Sequence, residues 1–510
     1  MSKSGNAESR RGDFGDDGEA GGDFRWFCGA AFLSLLLGAV VFWKMVPVAG
    51  AADASGYLNY ARILEEGRVL EELRVPEGDG FAALPQSLFQ PLGFGYRLET
   101  DRLSPTYPIG LPLLLSLGGL HGSEWGLRAV YAVVAMLVCL GTWTLAAELG
   151  LAASWRFYAV ALMASSPLLL WSSLIPMSDA LASCQAIWLV WLALRSRSSN
   201  VAALLCGALL GWAVLTRPSN VLLFLPVLVA FLEMRVSLVK VFWTGLGGSP
   251  ALALFGWSNW TLYGSPFASG YGDLWSWFSW SNGLPTLLHY AKTLLYALFA
   301  LAAPTALMGA FKWRSGRTRL LLAWAAPVFV FYGFYFFTSQ TWWFLRFVLV
   351  GLPALALLSA CWFEERSVGF GMGRKQQGWL ATGLAVAAML ALLFWQERLN
   401  IFGEQAFERR YAEECSWAKG NLEAGTLVVC MQPSGAFYYY TDFPVFRWDL
   451  AKRDLDWEGL RFAAGERDVP VVAILHAFEE QRDDSILKRY PENWELLGEV
   501  TERVRAYRMR

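Results

Sequence analysis

Six ionisable residues stand at the ends of long apolar runs in this sequence: Asp53, Asp179, Arg217, His289, Lys292 and Arg346. A charge beside hydrocarbon costs roughly 3 kcal/mol at the midplane, so such groups pair with one another or line a wet cavity. Both signs are present, and each suits a task. A carboxylate can accept a proton from a hydroxyl, while a planar guanidinium can hold phosphate oxygens through two parallel hydrogen bonds. Plainer roles exist for every member. Lys292 and Arg346 can snorkel to headgroups, Asp179 can cap its helix through Ser178-Asp179, Asp53 can be a solvated loop carboxylate, and His289 can be a helix-packing histidine. Trp342 and Trp343 fit an aromatic belt as well as a stacking platform.

The elements that must position these groups are apolar. The 510 residues are 55% hydrophobic and 17% charged, far from the balance of a soluble cytosolic enzyme. Charge is also unevenly spread: residues 1 to 25 hold 10 charged residues, 51 to 123 hold 14 and 397 to 510 hold 37, which leaves 24 for the other 298. That pattern predicts an all-α polytopic membrane body with polar attachments. Candidate spans cover Trp26 to Gly50 and then 125–147, 157–175, 177–194, 201–216, 219–232, 241–262, 286–310, 320–337, 345–362 and 379–396, about eleven in all. With the N-terminus inside, the inner turns collect Arg156, Arg195, Arg197, Arg235, Lys240, Lys312, Arg314, Arg317, Arg319, Arg366, Arg374 and Lys375. The later outer connections hold almost no basic residue apart from Arg217, so the positive-inside rule favours this orientation. All six ionisable groups then lie at the outer end, with residues 397 to 510 outside.

Residues 1 to 25 read as a disordered cytoplasmic tail. The first outer loop, 51 to 123, carries a stretch from Tyr57 to Leu70 whose apolar residues fall on one face, which predicts an amphipathic helix lying at the membrane interface. Pro108 to Leu115 is apolar but too short to span. From residue 397 the composition becomes 32% charged and predicts a small extracytoplasmic α/β domain, with a helix over Glu404 to Lys419 and strands at Thr426 to Met431, Phe437 to Tyr440 and Val469 to Leu475. The seven cysteines form no disulfide or zinc framework. Cys415 and Cys430 share that domain and either pair or remain thiols. Gly369-Phe-Gly-Met-Gly is not a dinucleotide fingerprint and reads as an inner loop. The net charge of −1 averages unlike compartments and gives no sign of a nucleic-acid partner. Three histidines are too few for a His-rich metal site; no cofactor is expected, and a divalent metal has no support.

Four stretches taken in order carry a family likeness: Ala52-Asp53-Ala54-Ser55-Gly56-Tyr57; Ser104-Pro-Thr-Tyr107-Pro-Ile-Gly-Leu-Pro; Pro176-Met-Ser-Asp179; and Arg346-Phe-Val-Leu-Val-Gly-Leu-Pro353. Gly211 to Asn220 and Tyr263 to Gly272 add to it. The chain resembles the GT-C superfamily of polytopic glycosyltransferases, in particular the branch of protein O-mannosyltransferases and aminoarabinose transferases. The resemblance implies a transmembrane catalytic domain over 26–396 and an extracytoplasmic domain over 397–510, in the cytoplasmic membrane. It implies a polyprenyl-phosphate sugar as donor, an extracytoplasmic glycan, lipid or protein as acceptor, and hexosyl or pentosyl transfer with inversion. Asp53 matches the family's catalytic base, although the usual acidic pair is Asp-Ala here. Asp179, Arg217, Arg346, Lys292, His289, Tyr57 and Tyr107 become substrate-binding candidates, with membrane lipids as further partners. Two other classes remain open: a transporter or flippase of lipid-linked saccharides, which would show paired broken helices and internal symmetry, and a membrane-anchored binding protein acting through residues 397–510.

Overall fold

In the computed structural model, which describes residues 16–294 and 302–510, the apolar body is helical throughout. Five helices are long and apolar enough to cross a membrane: Asp23–Lys44, Glu124–Glu148, Leu238–Tyr263, Trp342–Gly369 and Arg374–Arg398. Asp179–Arg195, Asn200–Thr216, Phe224–Glu233 and Gly316–Gly333 are shorter apolar helices between them. The expected count of about eleven spans is therefore not reached by length and composition alone. The stretch 157–175, expected as one span, is two helices, Ala153–Ala164 and Pro167–Ser173. The break falls at Ser165-Ser166-Pro167, where Ser166 caps the second helix by accepting from the Leu169 amide and Pro167 cannot continue the first. The first helix starts at Asp16, inside the stretch expected to be a disordered tail; residues 1–15 of that tail lie outside the described residues, as do 295–301 of the expected span 286–310.

Helices enter and leave in alternation, and the charges report it. Arg195 pairs with Glu148 at 3.3 Å and Arg317 with Glu364 at 3.7 Å, while Lys312 pairs with Glu365 and Arg319 with Glu233. These pairs lie at one end of the helices. Asp179 opens the helix that Arg195 closes, so the other end is where Asp179 and its companions meet.

The loop from 51 to 123 departs from expectation. Helix Ala52–Glu65 is not a surface helix: Ser55, Gly56, Tyr57, Leu58, Asn59, Tyr60 and Ala61 are all buried. Its polar residues are met by protein rather than by headgroups. Asn59 donates to the Gly435 carbonyl at 2.9 Å and Arg62 to the Tyr438 carbonyl at 3.0 Å. The loop continues into a three-stranded antiparallel sheet of β1 (Glu71–Glu72), β2 (Phe94–Arg97) and β3 (Arg102–Pro105), in the order β1-β3-β2. Phe81, Leu84, Leu88 and Phe89 enter the same apolar cluster as Leu427, Trp457 and Trp494. That loop and the C-terminal domain thus share one core.

That domain holds a five-stranded mixed sheet of β4 (Leu427–Val429), β5 (Val445–Phe446), β6 (Val471–His476), β7 (Trp494–Thr501) and β8 (Val504–Met509), ordered β5-β4-β6-β8-β7. β4 runs parallel to β5 and β6, and β8 antiparallel to β6 and β7. The stretch Phe437 to Tyr440 is not a strand but the end of helix Ser434–Tyr440. Its aromatic run suits a strand by propensity, yet Phe437 and Tyr438 pack inward while Tyr439 and Tyr440 reach helix Ala52–Glu65 and its approach; tertiary packing overrides local preference here. The helix expected from Glu404 to Lys419 is two, Ile401–Ala406 and Arg409–Asn421. Cys415 and Cys430 are buried free thiols.

Helices Asn200–Thr216 and Leu238–Tyr263 approach closely through small residues. A Cβ at Gly207 would meet the Thr244 carbonyl, and one at Gly247 would meet the Leu204 carbonyl. Gly207 and Gly211 stand four apart, the spacing that lets membrane helices pack backbone to backbone. Because the two helices run parallel, with Arg217 following the C-terminal end of the first and the Tyr271 loop following that of the second, their packing bears on the site. Gly207→Leu is expected to cost about 1–3 kcal/mol through overpacking, read as a lower thermal midpoint of the detergent-solubilised protein. Gly383→Ala, at a position with open space around it, leaves the midpoint unchanged.

Candidate active site

Asp53 occupies the first turn of helix Ala52–Glu65. Its carboxylate forms an ion pair with the Arg346 guanidinium through Oδ2 and accepts the Tyr107 hydroxyl at 2.7 Å through Oδ1. Arg346 comes from the 3-10 stretch Trp342–Gly351, which precedes helix Leu352–Gly369. Tyr107 comes from the turn ahead of the short helix Gly110–Ser116. Its ring lies 4.7 Å from that of Tyr57 and 5.9 Å, edge-on, from that of Tyr271. Gly56 admits this arrangement, since a Cβ there would strike the Tyr107 ring.

A second ion pair lies alongside. Asp179, at the start of helix Asp179–Arg195, pairs with Arg217, the residue that ends helix Asn200–Thr216. Ser178, next to Asp179, shares a hydrogen bond of 2.9 Å with the Tyr57 hydroxyl. The two pairs meet over one ring: the Arg217 and Arg346 guanidinium carbons lie 5.4 and 5.3 Å from the centre of Phe347, a cation–π geometry that places both cations on a common aromatic floor. Tyr332 and Phe344 stack on that ring at 5.4 and 5.9 Å. Trp171 gives Arg346 a further face at 5.9 Å, and Trp342 packs edge-on against Trp171 at 6.0 Å.

Two carboxylates and two guanidiniums balance in charge, which is how buried ions are tolerated. They differ in access. The Asp53 side chain keeps 31% of its surface exposed, against 5% for Asp179 and 12% for each arginine. Asp53 is therefore the carboxylate an incoming group can reach, and Asp179 serves as the buried counter-ion of Arg217. Burial works against charge on Asp53, but the Arg346 guanidinium, the Tyr107 hydroxyl and the more distant Arg217 outweigh it and hold the carboxyl below the usual carboxylate range. Burial first, then the neighbouring Asp53 charge, push the Tyr107 hydroxyl well above the ordinary phenol value, so Tyr107 stays protonated and donates.

Of the residues singled out in the sequence, Asp53, Tyr57, Tyr107, Asp179, Arg217 and Arg346 converge. Lys292 and His289 do not join them. Lys292 is exposed on helix Gly283–Thr293 and has no acidic partner among the described residues. His289 is half-buried, with its Nε2 unpartnered. Sequence reasoning missed Phe347, Trp171, Tyr271 and Ser178; of these, Phe347, Tyr271 and Ser178 fall within the stretches that carry the family likeness, and Trp171 lies outside them. No group of three or more His, Cys, Asp or Glu residues that could hold a metal occurs among the described residues.

No family model matches the sequence, and no curated protein matches it. Solved structures do. ArnT from Cupriavidus metallidurans bound to undecaprenyl phosphate matches with a TM-score of 0.53 at 14% identity, over 94% of this chain and 97% of that one. The oligosaccharyltransferase of Archaeoglobus fulgidus tethered to an acceptor peptide matches with a TM-score of 0.56 at 11% identity, over 94% of this chain and 74% of that one. AglB from the same organism, in complex with an inhibitory peptide and a dolichol-phosphate, matches with a TM-score of 0.53 at 12% identity, over 88% and 69%. At these identities the likeness establishes that the chain shares the fold of those structures.

The charge geometry sets a pH signature. A carboxyl held low stays ionised on the acid side, so any activity that needs the Asp53 carboxylate persists to low pH and falls only as the pH drops through the depressed value. Removing the Arg346 cation leaves burial opposed only by the Tyr107 hydroxyl and the more distant Arg217. Arg346→Gln is therefore expected to move the acid limb of kcat/KM to higher pH, and an unmoved limb would show that Asp53 does not titrate in the rate profile.

Proposed function

We propose that this chain is an integral-membrane glycosyltransferase that moves a sugar from a polyprenyl-phosphate-linked donor to an acceptor hydroxyl on the extracytoplasmic side. The observation that carries the reading is the reachable Asp53 carboxylate held by Arg346 and Tyr107 beside a second guanidinium, Arg217. Bond by bond, the acceptor oxygen attacks the anomeric carbon and its proton passes to Asp53. The bond between that carbon and the phosphate oxygen breaks, and its electron pair leaves with the lipid phosphate. Attack from the face opposite the leaving group inverts the anomeric centre.

The chemistry asks for a base and for cations on the leaving group. Arg346 is suited to a double task. While it pairs with Asp53 it keeps that carboxylate a weak base. A lipid phosphate competing for the guanidinium loosens the pair and leaves Asp53 in a buried setting, which strengthens it as a base once the donor is bound. Arg217, anchored by Asp179, is the second phosphate-facing cation. The solved structures of the same fold that carry undecaprenyl phosphate and a dolichol-phosphate support a lipid-phosphate donor, and the basic turns at the opposite end support an N-terminus in the cytoplasm and a C-terminal domain outside. The cytoplasmic membrane is the expected location. Tyr57 and Tyr107 border the reacting centre; His289 and Lys292, away from the two ion pairs, have no assigned part in the transfer.

Asp53→Asn removes the proton acceptor with little change of shape. Transfer of labelled sugar from polyprenyl-phosphate donors to a membrane extract is expected to fall by at least about 100-fold, with the protein inserted and folded as before. Near-normal transfer in that variant would rule out Asp53 as the base.

A further inference from the structure

Helix Ala52–Glu65 begins without a cap of its own. Ala51 stands at the N-cap position and has no side chain to offer the helix, and Ala54, three residues on, cannot make the return bond that a Glu makes to the N-cap amide in a capping box. That amide is nevertheless satisfied. The Ala51 N–H donates to Glu408 Oε2 at 2.9 Å, from a residue 357 positions away that lies between helices Ile401–Ala406 and Arg409–Asn421. Two residues earlier, the Ala49 N–H donates to the Tyr440 hydroxyl at 2.9 Å. Gly50 fits between these anchors because a Cβ there would fall on the Glu408 carboxylate. Asp53 sits two residues beyond the capped amide, in the same helical turn.

Resting on the glycosyltransferase reading, we infer that Glu408 is a positioning residue for the reaction: it caps the base-bearing helix from the C-terminal side of the chain and so fixes where Asp53 meets Arg346 and Tyr107. A carboxylate is suited to this place, because it accepts the orphan N–H and opposes the positive end of the helix. Arg410, Tyr411, Asp53 and His476 are charged or titratable groups around it. Asp53 is one of them but makes no bond to it, so Glu408 acts through the backbone. The C-terminal domain thereby takes part in setting the geometry of the membrane-embedded centre, through the one stretch of chain that joins the last span to the sheet.

The test compares full-length wild-type protein, Glu408→Ala and Glu408→Gln in lipid nanodiscs, with hydrogen exchange over residues 49–58 and labelled-sugar transfer measured on each. The amide oxygen of Gln can still accept the Ala51 N–H. Glu408→Ala is expected to lose protection at the Ala51 and Ser55 amides and to lower kcat, each by about tenfold, with KM for the polyprenyl-phosphate donor and the thermal midpoint little changed; Glu408→Gln restores both. Wild-type protection in Glu408→Ala, lost protection with unchanged kcat, or a Glu408→Gln variant as impaired as the alanine would each overturn the inference. If wild type transfers no sugar, the functional reading fails separately, and the exchange data still decide whether Glu408 caps the helix.

Discussion

An ion pair in a poorly solvated place constrains everything around it. Asp53 and Arg346 are separated by 293 positions in sequence, yet their charges meet where neither could be left alone at acceptable cost. Each must be delivered by an element that cannot drift. Helix Ala52–Glu65 delivers one, and the 3-10 stretch Trp342–Gly351 at the head of a long helix delivers the other. The second pair, Asp179 with Arg217, repeats the solution from two further helix ends, and the Phe347 ring that both guanidiniums approach ties the pairs into one site.

The loop from 51 to 123 and the C-terminal domain are best understood as the support of that arrangement. Their shared apolar core, with Phe81 and Phe89 against Phe446 and Trp457, makes a single body above the helices. From it, Asn59 and Arg62 are held by backbone carbonyls of the segment around helix Ser434–Tyr440. His121 adds another tie, bonding Glu65 at 2.6 Å and the Tyr439 hydroxyl at 3.1 Å. The helix that bears Asp53 is thus gripped along its length, and its base faces the membrane body while its flank faces the domain.

Much of this was legible in the sequence, for identifiable reasons. Ionisable residues at the ends of apolar runs are so costly that their placement signals pairing, and Asp53, Asp179, Arg217 and Arg346 did pair. Lys292 and His289 stand at such ends outside the two ion pairs, because a long cationic stem can reach solvent and an imidazole can be neutral, so neither is compelled to pair. The amphipathic pattern after Asp53 was read as a membrane-surface helix, since periodicity records which face is apolar and not whether protein or lipid covers it. Phe437 to Tyr440 carries strand propensity into a helix whose packing partners include Arg62, Phe94 and His121, all more than 300 residues away in sequence. The aromatic floor under the arginines was invisible for a similar reason: Phe347 is one apolar residue in an apolar run, and only the fold sets it between two charges.

If the two arginines seat the lipid phosphate, as proposed, Arg346 changes partners when the seat is filled. Cryo-electron microscopy of the protein in nanodiscs, with and without undecaprenyl phosphate, tests it most directly. The expected result is Arg346 on Asp53 in the empty state and, with lipid present, phosphate density between Arg217 and Arg346 over Phe347, with the Asp53 carboxylate released. Phosphate density remote from both arginines, or an Asp53 that stands apart from Arg346 in the empty state, would contradict it.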